Sequence, residues 1–171
     1  MIVKPAIAAD ANAIAQITKE TFALACPPSA DANELEKYID CNLNADRFNE
    51  LIVSQSTYIA CAFVNDEMAG FIVAVYDSPC VDIADLTATA EIKKLYIRPR
   101  FYGKEIAYKL MNSAIAEVTK PGIEKIWLGV YSDNIRAKKF YSKFGFHVIG
   151  ETYFIMGSER HLDHIMAINV L

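Results

Sequence analysis

The sequence predicts a mixed α/β fold in which one central sheet carries helices on both faces. Two period-two segments, 58–64 and 69–76, follow each other directly, which indicates an antiparallel hairpin. Farther on, a strand at 91–97, a helix at 103–118 and a strand at 125–131 alternate, and such a unit joins parallel strands. The regular alternation and glycine fingerprint of a Rossmann fold are missing.

The first third of the chain reads as one strand followed by helices. Residues 2–6 predict the strand, and residues 10–24 predict a helix with Asp10 at its positive end. Two prolines, Pro27 and Pro28, stop this helix. Residues 31–55 carry a further apolar stripe at helical spacing, which predicts one or two more helices.

The remaining elements follow from turn residues and changes of period. Asn65-Asp66-Glu67 turns the hairpin, and a polar loop fills 77–90. The last elements are a helix at 134–144 ended by Gly145 and strands at 147–155 and 163–171. The order β, helices, β, β, β, α, β, α, β, β predicts three layers around about seven strands. We interpret residues 1–171 as a single domain.

Composition limits the classes of function. The chain has 171 residues, 53% of them hydrophobic, and a net charge of -4 without a basic stripe, so nucleic-acid binding is disfavoured. Its apolar runs are too short to span a bilayer, and its start lacks the pattern of a signal peptide. The four cysteines have no metal-ligand spacing, which favours free thiols, no metal and a cytoplasmic location.

Two segments contain residues suited to ligand binding and catalysis. In the first, the strand Glu91–Ile97 leads through a short loop at Arg98–Tyr102 into the helix predicted at 103–118, and Lys104 adds positive charge there. Loop amides and a positive helix end converge there, which predicts an anion site suited to a pyrophosphate. The second segment is Asn134-x-x-Ala137-x-x-x-Tyr141 followed by Lys143-Phe144-Gly145-Phe146. Ala137 and Tyr141 share a helix face, and the small alanine leaves room for a ligand.

These segments resemble the acetyl-CoA signatures of the GNAT superfamily of N-acetyltransferases, and the element order also fits. The segments Ile126–Val130, Tyr153–Gly157 and Leu162–Met166 look more specifically like the bacterial spermine/spermidine acetyltransferase branch. The resemblance implies a GNAT-like three-layer fold with a cleft between splayed fourth and fifth strands. It implies cofactor-binding roles for Leu95, Tyr96, Ile97, Tyr102, Gly103, Lys104, Glu105, Ile106, Ala107, Asn134, Ala137 and Lys143.

The resemblance also implies a mechanism in which an amine attacks the thioester of acetyl-CoA directly, in a ternary complex. Glu91 stands where many members place a base, acting directly or through water, and Tyr141 stands at the position of the acid. The pantetheine arm is expected to pair with backbone groups of Leu95–Ile97 as an added strand. A β-bulge would splay the two strands.

One departure from the family pattern concerns the phosphate loop. Tyr102 stands where the family has Gln or Arg, and Glu105 stands at the central Gly, whereas Ala107 fits the last position. Glutamate adds a Cβ and a negative charge where glycine permits close approach to phosphate. If Glu105 lies in the first helical turn, its side chain faces solvent; we still expect a raised Michaelis constant for acetyl-CoA.

The favoured acceptor is a polyamine such as spermidine or spermine. Asp77, Asp82 and Asp85 precede the fourth strand, and we expect them to line the acceptor mouth with Glu91 and attract a polycation. Alternative acceptors are a protein N-terminus, an amino acid or an aminoglycoside. A non-catalytic acyl-CoA sensor and a purely structural oligomerisation domain are further alternatives, and exposed C-terminal strands leave a homodimer open.

Overall fold

The protein's structure, a computed structural model, describes residues 1–80, 82–83 and 88–170. Its strands are β1 (Ile2–Pro5), β2 (Thr57–Val64), β3 (Glu67–Val75), β4 (Thr89–Ile97), β5 (Lys125–Tyr131), β6 (His147–Met156) and β7 (Glu159–Asn169). Its α-helices are α1 (Ala11–Thr21), α2 (Ala32–Asn42), α3 (Ala45–Val53), α4 (Ile106–Val118) and α5 (Ile135–Ser142).

The strands form one mixed sheet in the order β1-β2-β3-β4-β5-β7-β6. Neighbouring strands are antiparallel throughout, except that β4 and β5 run parallel on either side of the crossover helix α4. The β2–β3 hairpin turns at Asn65 and Asp66, which both have positive φ, the geometry whose twist matches that of paired strands. The predicted mixed α/β architecture is therefore confirmed.

Alternation along the central strands supplies a separate core on each face of the sheet. On β2, Ile59 and Cys61 pack toward α1, α2 and α3. Their neighbours Ala60 and Ala62 pack toward α4 on the opposite face. The alanines are small, so α4 approaches the sheet closely, and three layers result.

Capping residues decide how the helical region divides. The Asp31 side chain accepts hydrogen bonds from the amides of Asn33 and Glu34, and so begins α2. Asn44 caps α3 in the same way, which resolves 31–55 into two helices. The helix expected at 10–24 is shorter, since α1 spans Ala11–Thr21 between two 3₁₀ turns.

Two boundaries near the functional region differ from the prediction. The helix expected from residue 103 begins at Ile106, because Gly103 and Glu105 both have positive φ and cannot continue a right-handed helix. The last strand begins at Glu159 rather than 163, since β6 and β7 form a long hairpin that turns at Gly157. Within the described ranges, no helix combines the length and apolarity needed to cross a bilayer.

Candidate active site

The central strands β4 and β5 separate shortly after they meet. They pair only over Thr89–Glu91 and Lys125–Trp127 among the described residues. On the other edge of β4, Ala74 pairs with Ile92 and Val73 with Lys94, so that Lys93 is an extra residue in β4. This β-bulge bends β4 away from β5. The predicted bulge and the splayed cleft are both present.

A cavity of about 580 Å³ fills the gap between the two strands. It extends from the loop before α4, along β4 and the first turns of α5, to the segment between α1 and α2. Tyr141 lines it together with all twelve residues expected to bind the cofactor: Leu95, Tyr96, Ile97, Tyr102, Gly103, Lys104, Glu105, Ile106, Ala107, Asn134, Ala137 and Lys143.

The loop before α4 has the form of an anion site. Phe101 is buried and anchors the loop, while Tyr102 to Glu105 are exposed toward the cavity. The first amides of α4 have no acceptor inside the helix and carry its positive end. Lys104 adds a cation above the Phe101 ring, 5.2 Å from its centroid. A diphosphate is the kind of group that such an arrangement binds.

Glu105 occupies the N-cap of α4 rather than its first turn. Its φ is 58° and its ψ is 7°, which is left-handed backbone, and its side chain makes no capping hydrogen bond. Left-handed geometry costs a non-glycine residue about 1–2 kcal/mol. Glycine would adopt this conformation freely, whereas Glu105 adopts it at a cost.

An arginine that the sequence did not single out supports the loop. The Arg136 guanidinium stacks over the Tyr102 ring, 4.5 Å from its centroid, and donates to the Tyr102 hydroxyl at 3.4 Å. Arg136 also lines the cavity. Tyr102 stands where the family pattern has Gln or Arg. Arg136, stacked on Tyr102, places a guanidinium group at this wall of the cleft.

The start of α5 positions the phenol of Tyr141. The Asn134 side chain accepts the Ala137 amide at 3.0 Å and caps the helix. Tyr141 projects into the cavity with its ring against Phe140 and Phe146. Burial raises the pKa of Tyr141 to about 12. The phenol therefore stays protonated at neutral pH and can donate to a group in the cleft.

Aromatic rings form a wall at the opposite end of the cavity. Phe22 and Tyr38 are stacked with ring centroids 5.4 Å apart, and Phe154 meets Tyr38 edge-on at 5.3 Å. Tyr96 meets Phe22 edge-on at 6.4 Å. These four residues, which we call the aromatic wall, come from the α1–α2 region, β4 and β6. Such a surface binds apolar stems and cations.

Two residues of β7, Asp163 and His161, also line the cavity and were missed as site candidates from the sequence. Burial raises the pKa of Asp163 to about 6, and His161 opposes this shift. Alternation along β7 places both side chains on one face of the sheet. The strand predicted from the sequence began at residue 163, so His161 was not expected to share a strand face with Asp163. The one available signal was that these two polar residues are two positions apart.

Two further charged residues lie on β4. Lys94 lines the cavity, and burial lowers its pKa to about 8. Glu91, the expected base, lies at the point where the strands part and is not among the residues that line the cavity. Its Oε2 accepts from Ser78 Oγ at 3.0 Å and lies 3.6 Å from Lys93 Nζ.

Two of the acidic residues expected at the acceptor mouth do not line the cavity. Asp77 and Asp82 are absent from the cavity lining, and Asp82 accepts instead from the Thr152 hydroxyl of β6 at 2.6 Å. Asp85 lies outside the described residues. No cluster of three or more His, Cys, Asp and Glu side chains suited to a metal ion occurs in the part of the chain that the structure describes.

A forked mixed sheet with a helix N-terminus beside the gap and a phenol within it defines an acyl-CoA-dependent transferase. The model of the Acetyltransferase (GNAT) family matches residues 13–146. An uncharacterized N-acetyltransferase of Mycobacterium tuberculosis is 31% identical over 157 residues, which cover 92% of this chain and 96% of the relative. The chain belongs to the GNAT family, and it is an N-acetyltransferase with acetyl-CoA as its acetyl donor.

Other relatives and solved structures agree. An uncharacterized N-acetyltransferase of Lactobacillus delbrueckii subsp. lactis is 25% identical over 150 residues, covering 88% of this chain and 86% of the relative. The PaiA N-acetyltransferase of Thermoplasma acidophilum, solved with coenzyme A, superposes with a TM-score of 0.78 at 23% identity over 99% of both chains. A probable acetyltransferase of Staphylococcus epidermidis gives 0.75 at 17% identity over 99% of both. These two structures show a shared fold.

Replacing Glu105 by glycine is expected to strengthen both the fold and acetyl-CoA binding. Glycine adopts φ of 58° freely, so the free energy of unfolding should rise by about 1 kcal/mol. Loss of the carboxylate beside the anion site should lower the Kd for acetyl-CoA about 3- to 10-fold. Urea denaturation and calorimetric titration measure the two effects.

The matched control is Glu105→Gln, which removes the charge and keeps the side chain. It should tighten acetyl-CoA binding without stabilising the fold. Unchanged acetyl-CoA affinity in both variants would contradict an anion site at this loop.

Asp163→Asn is expected to change stability in a pH-dependent way. The folded pKa of about 6 exceeds the ordinary value of 3.8 for an aspartate, so the native carboxyl holds its proton more tightly than the unfolded one. Its stabilising contribution is present below pH 4 and is lost as pH rises through 6. At pH 7.5 the free energy of unfolding of the variant should therefore exceed that of the wild type by about 1–2 kcal/mol, allowing for solvent screening. At pH 4 the two values should match.

Urea denaturation across this pH range tests the expectation. Glu151→Gln is the control, because its carboxylate is largely exposed on β6, and it should change stability by less than about 0.5 kcal/mol at either pH. A pH-independent difference for Asp163→Asn would show that burial of the charge is not the cause.

Proposed function

We propose that this enzyme acetylates a primary amine of a polyamine such as spermidine or spermine, by direct attack on acetyl-CoA in a ternary complex. One observation carries the proposal. A single cavity joins an anion site before α4 to an end that combines the aromatic wall with the Asp163 carboxylate. Donor and acceptor would thus enter from opposite ends and meet beside Tyr141.

The donor end suits coenzyme A. In the proposed complex the pyrophosphate binds the amides of residues 102–107, with Lys104, Lys143 and Arg136 supplying positive charge. The pantetheine amides pair with the backbone of Leu95–Ile97, whose edge toward β5 is open because of the fork. The thioester then lies in the gap between β4 and β5. The fold shared with the coenzyme A complex of the Thermoplasma enzyme supports this placement.

The chemistry follows from the groups around the gap. The amine nitrogen attacks the thioester carbonyl, and the C–S bond breaks as the tetrahedral intermediate collapses. Tyr141 donates a proton to the departing sulfur, which its high pKa allows at neutral pH. An alkyl ammonium has a pKa of about 10.4, so a base must first take one proton. Glu91, acting directly or through water, and Asp163 are two carboxylates that lie beside the gap.

The acceptor end suits an alkyl amine with positive charge. The rings of Phe22, Tyr38 and Phe154 offer contact to methylene groups and attract ammonium groups through their faces. Asp163 supplies a carboxylate at this end of the cavity. Lys94 adds a cation at the same cavity, so an acceptor with its own carboxylate, such as an amino acid, is the main competitor.

A screen of amines with a thiol-release assay tests the proposal. Spermidine and spermine should give kcat/KM at least about tenfold above amino acids, an alanine-terminated peptide and an aminoglycoside. A higher kcat/KM for any of these other amines would show that a polyamine is not the preferred acceptor. Turnover of none of them, with tight acetyl-CoA binding, would favour an acyl-CoA sensor instead.

Tyr141→Phe is expected to lower kcat about 100-fold, because the sulfur loses its proton donor. The Kd for acetyl-CoA should stay within about twofold, since the ring and its packing remain. Steady-state kinetics and calorimetry measure these two values. Tyr76→Phe is the control: its hydroxyl bonds Glu117, outside the cavity, and kcat should not change. Equal kcat values for Tyr141→Phe and the wild type would show that Tyr141 is not the proton donor.

A further inference from the structure

Two titratable side chains of β7, Asp163 and His161, line the acceptor end of the cavity. Within the described part of the chain, the Asp163 carboxylate makes no hydrogen bond and no ion pair closer than 4 Å. His161 Nε2 is buried, and its one contact in that part of the chain, Glu159 Oε2 at 3.5 Å, lacks hydrogen-bond geometry. Buried polar groups are normally satisfied, so the His161 nitrogen beside a half-buried carboxylate calls for an explanation. The inference below rests on the proposed amine acetylation and deepens it.

The Asp163 carboxylate faces the gap between β4 and β5. Asp163 pairs with Tyr131 at the end of β5, and Gly129 lies two residues earlier on the same face. A Cβ placed on Gly129 would lie 3.7 Å from Asp163 Oδ2, so the glycine leaves the space in front of this oxygen open. Gly129 lines the cavity two residues past Trp127, the last β5 residue paired with β4. The carboxylate is thus directed toward the place where a thioester would lie.

His161 is held beside Asp163 by its own strand. The Nε2 atom lies 3.5 Å from Glu159 Oε2, which in turn accepts the Asp31 amide at 3.1 Å. This contact joins the β6–β7 hairpin to the start of α2. His161 therefore has a fixed position on the wall of the cavity, two residues from Asp163 on one sheet face.

Glu91 differs from Asp163 in both position and contacts. It accepts from Ser78 and lies near Lys93, and it is absent from the cavity lining. To act on an amine in the cavity it needs a water chain. Asp163 needs none, since the cavity reaches its carboxylate.

We propose that Asp163 is the base that takes the first proton from the acceptor ammonium, and that His161 is a positioning residue beside it. One ammonium proton passes to the Asp163 carboxylate and then to solvent. The freed nitrogen lone pair forms the N–C bond, and the C–S bond breaks with its electron pair on sulfur. Tyr141 protonates that sulfur, and the second nitrogen proton returns to Tyr141. The products are the N-acetyl amine and coenzyme A.

The pH dependence of this step involves the ionisable groups near Asp163 in the part of the chain that the structure describes. Carboxylate Asp163 is the active form, so kcat/KM should fall as pH drops through about 6. His161 on β7, Tyr131 on β5 and Cys26 before α2 interact electrostatically with Asp163. Lys94 and Tyr96 on β4 and Tyr38 on α2 line the same cavity, and burial lowers the pKa of Lys94 to about 8, above the acidic limb. Burial raises the pKa of Cys26 to about 11 and also raises that of Tyr131, so neither ionises near pH 6.

The experiment compares pH profiles of kcat/KM for the best amine of the screen. Asp163→Asn should lower kcat at pH 7.5 at least about 100-fold and abolish the fall near pH 6, with the acetyl-CoA Kd within about twofold. Asp163→Glu should recover part of the rate. His161→Asn should retain activity and move the acidic limb. His164→Asn and Glu151→Gln alter the opposite face of the same hairpin and should leave the profile unchanged.

The proposal is overturned if Asp163→Asn keeps the wild-type rate and acidic limb, or if Glu91→Gln alone removes them. Unfolding curves of Asp163→Asn and Asp163→Glu exclude misfolding as the cause of a lost rate. Failure of the wild-type enzyme to acetylate any amine would instead reject the proposed function, so the two failures are distinguishable.

Discussion

The early separation of β4 from β5 is the constraint on which the rest of the molecule depends. Three residue pairs join the two strands, and the bulge at Lys93 then turns β4 away. The β5-facing backbone groups of Leu95–Ile97 are left without a strand partner. Backbone groups need hydrogen bonds, so the fork creates a template for an amide-bearing chain as well as a space. The crossover helix α4 must begin at the same end, which places its positive N-terminus at the opening.

The two ends of the cavity carry different kinds of side chain, because different helices and strands line them. The α4 and α5 side supplies loop amides, Lys104, Lys143 and Arg136, which favour phosphate. The α1–α2 side and the β6–β7 hairpin supply aromatic rings and a carboxylate, which favour a cationic amine. Tyr141 lies between them, on the first helix after the fork. This separation is the physical basis of the proposed ternary complex, in which each substrate meets groups of opposite character.

The sequence predicted the elements well, and the residues that it assigned to the cofactor line one cavity, because both depend on local patterns. The strand 125–131 was placed at its observed bounds, and the loop at 102–107 and the Asn134–Tyr141 helix follow from residues close in sequence. The acceptor end was missed for a physical reason. Asp163, His161 and Phe154 reach the cavity only through long-range pairing of β7 with β5 and β6, which no local pattern encodes. The left-handed backbone of Glu105 was also invisible, since glutamate does not favour it.

The unfavourable features of the structure concentrate around this cavity. Glu105 holds left-handed backbone, while burial pushes the pKa of Lys94 down and that of Asp163 up, each toward the neutral form. Such costs persist in a protein when the surrounding structure fixes them and a ligand relieves them. An ammonium group near Asp163 would offset the cost of this partly buried charge by pairing with it. Acceptor binding is therefore expected to stabilise the protein, and part of the binding energy in the proposed complex offsets the cost of holding Asp163 ionised.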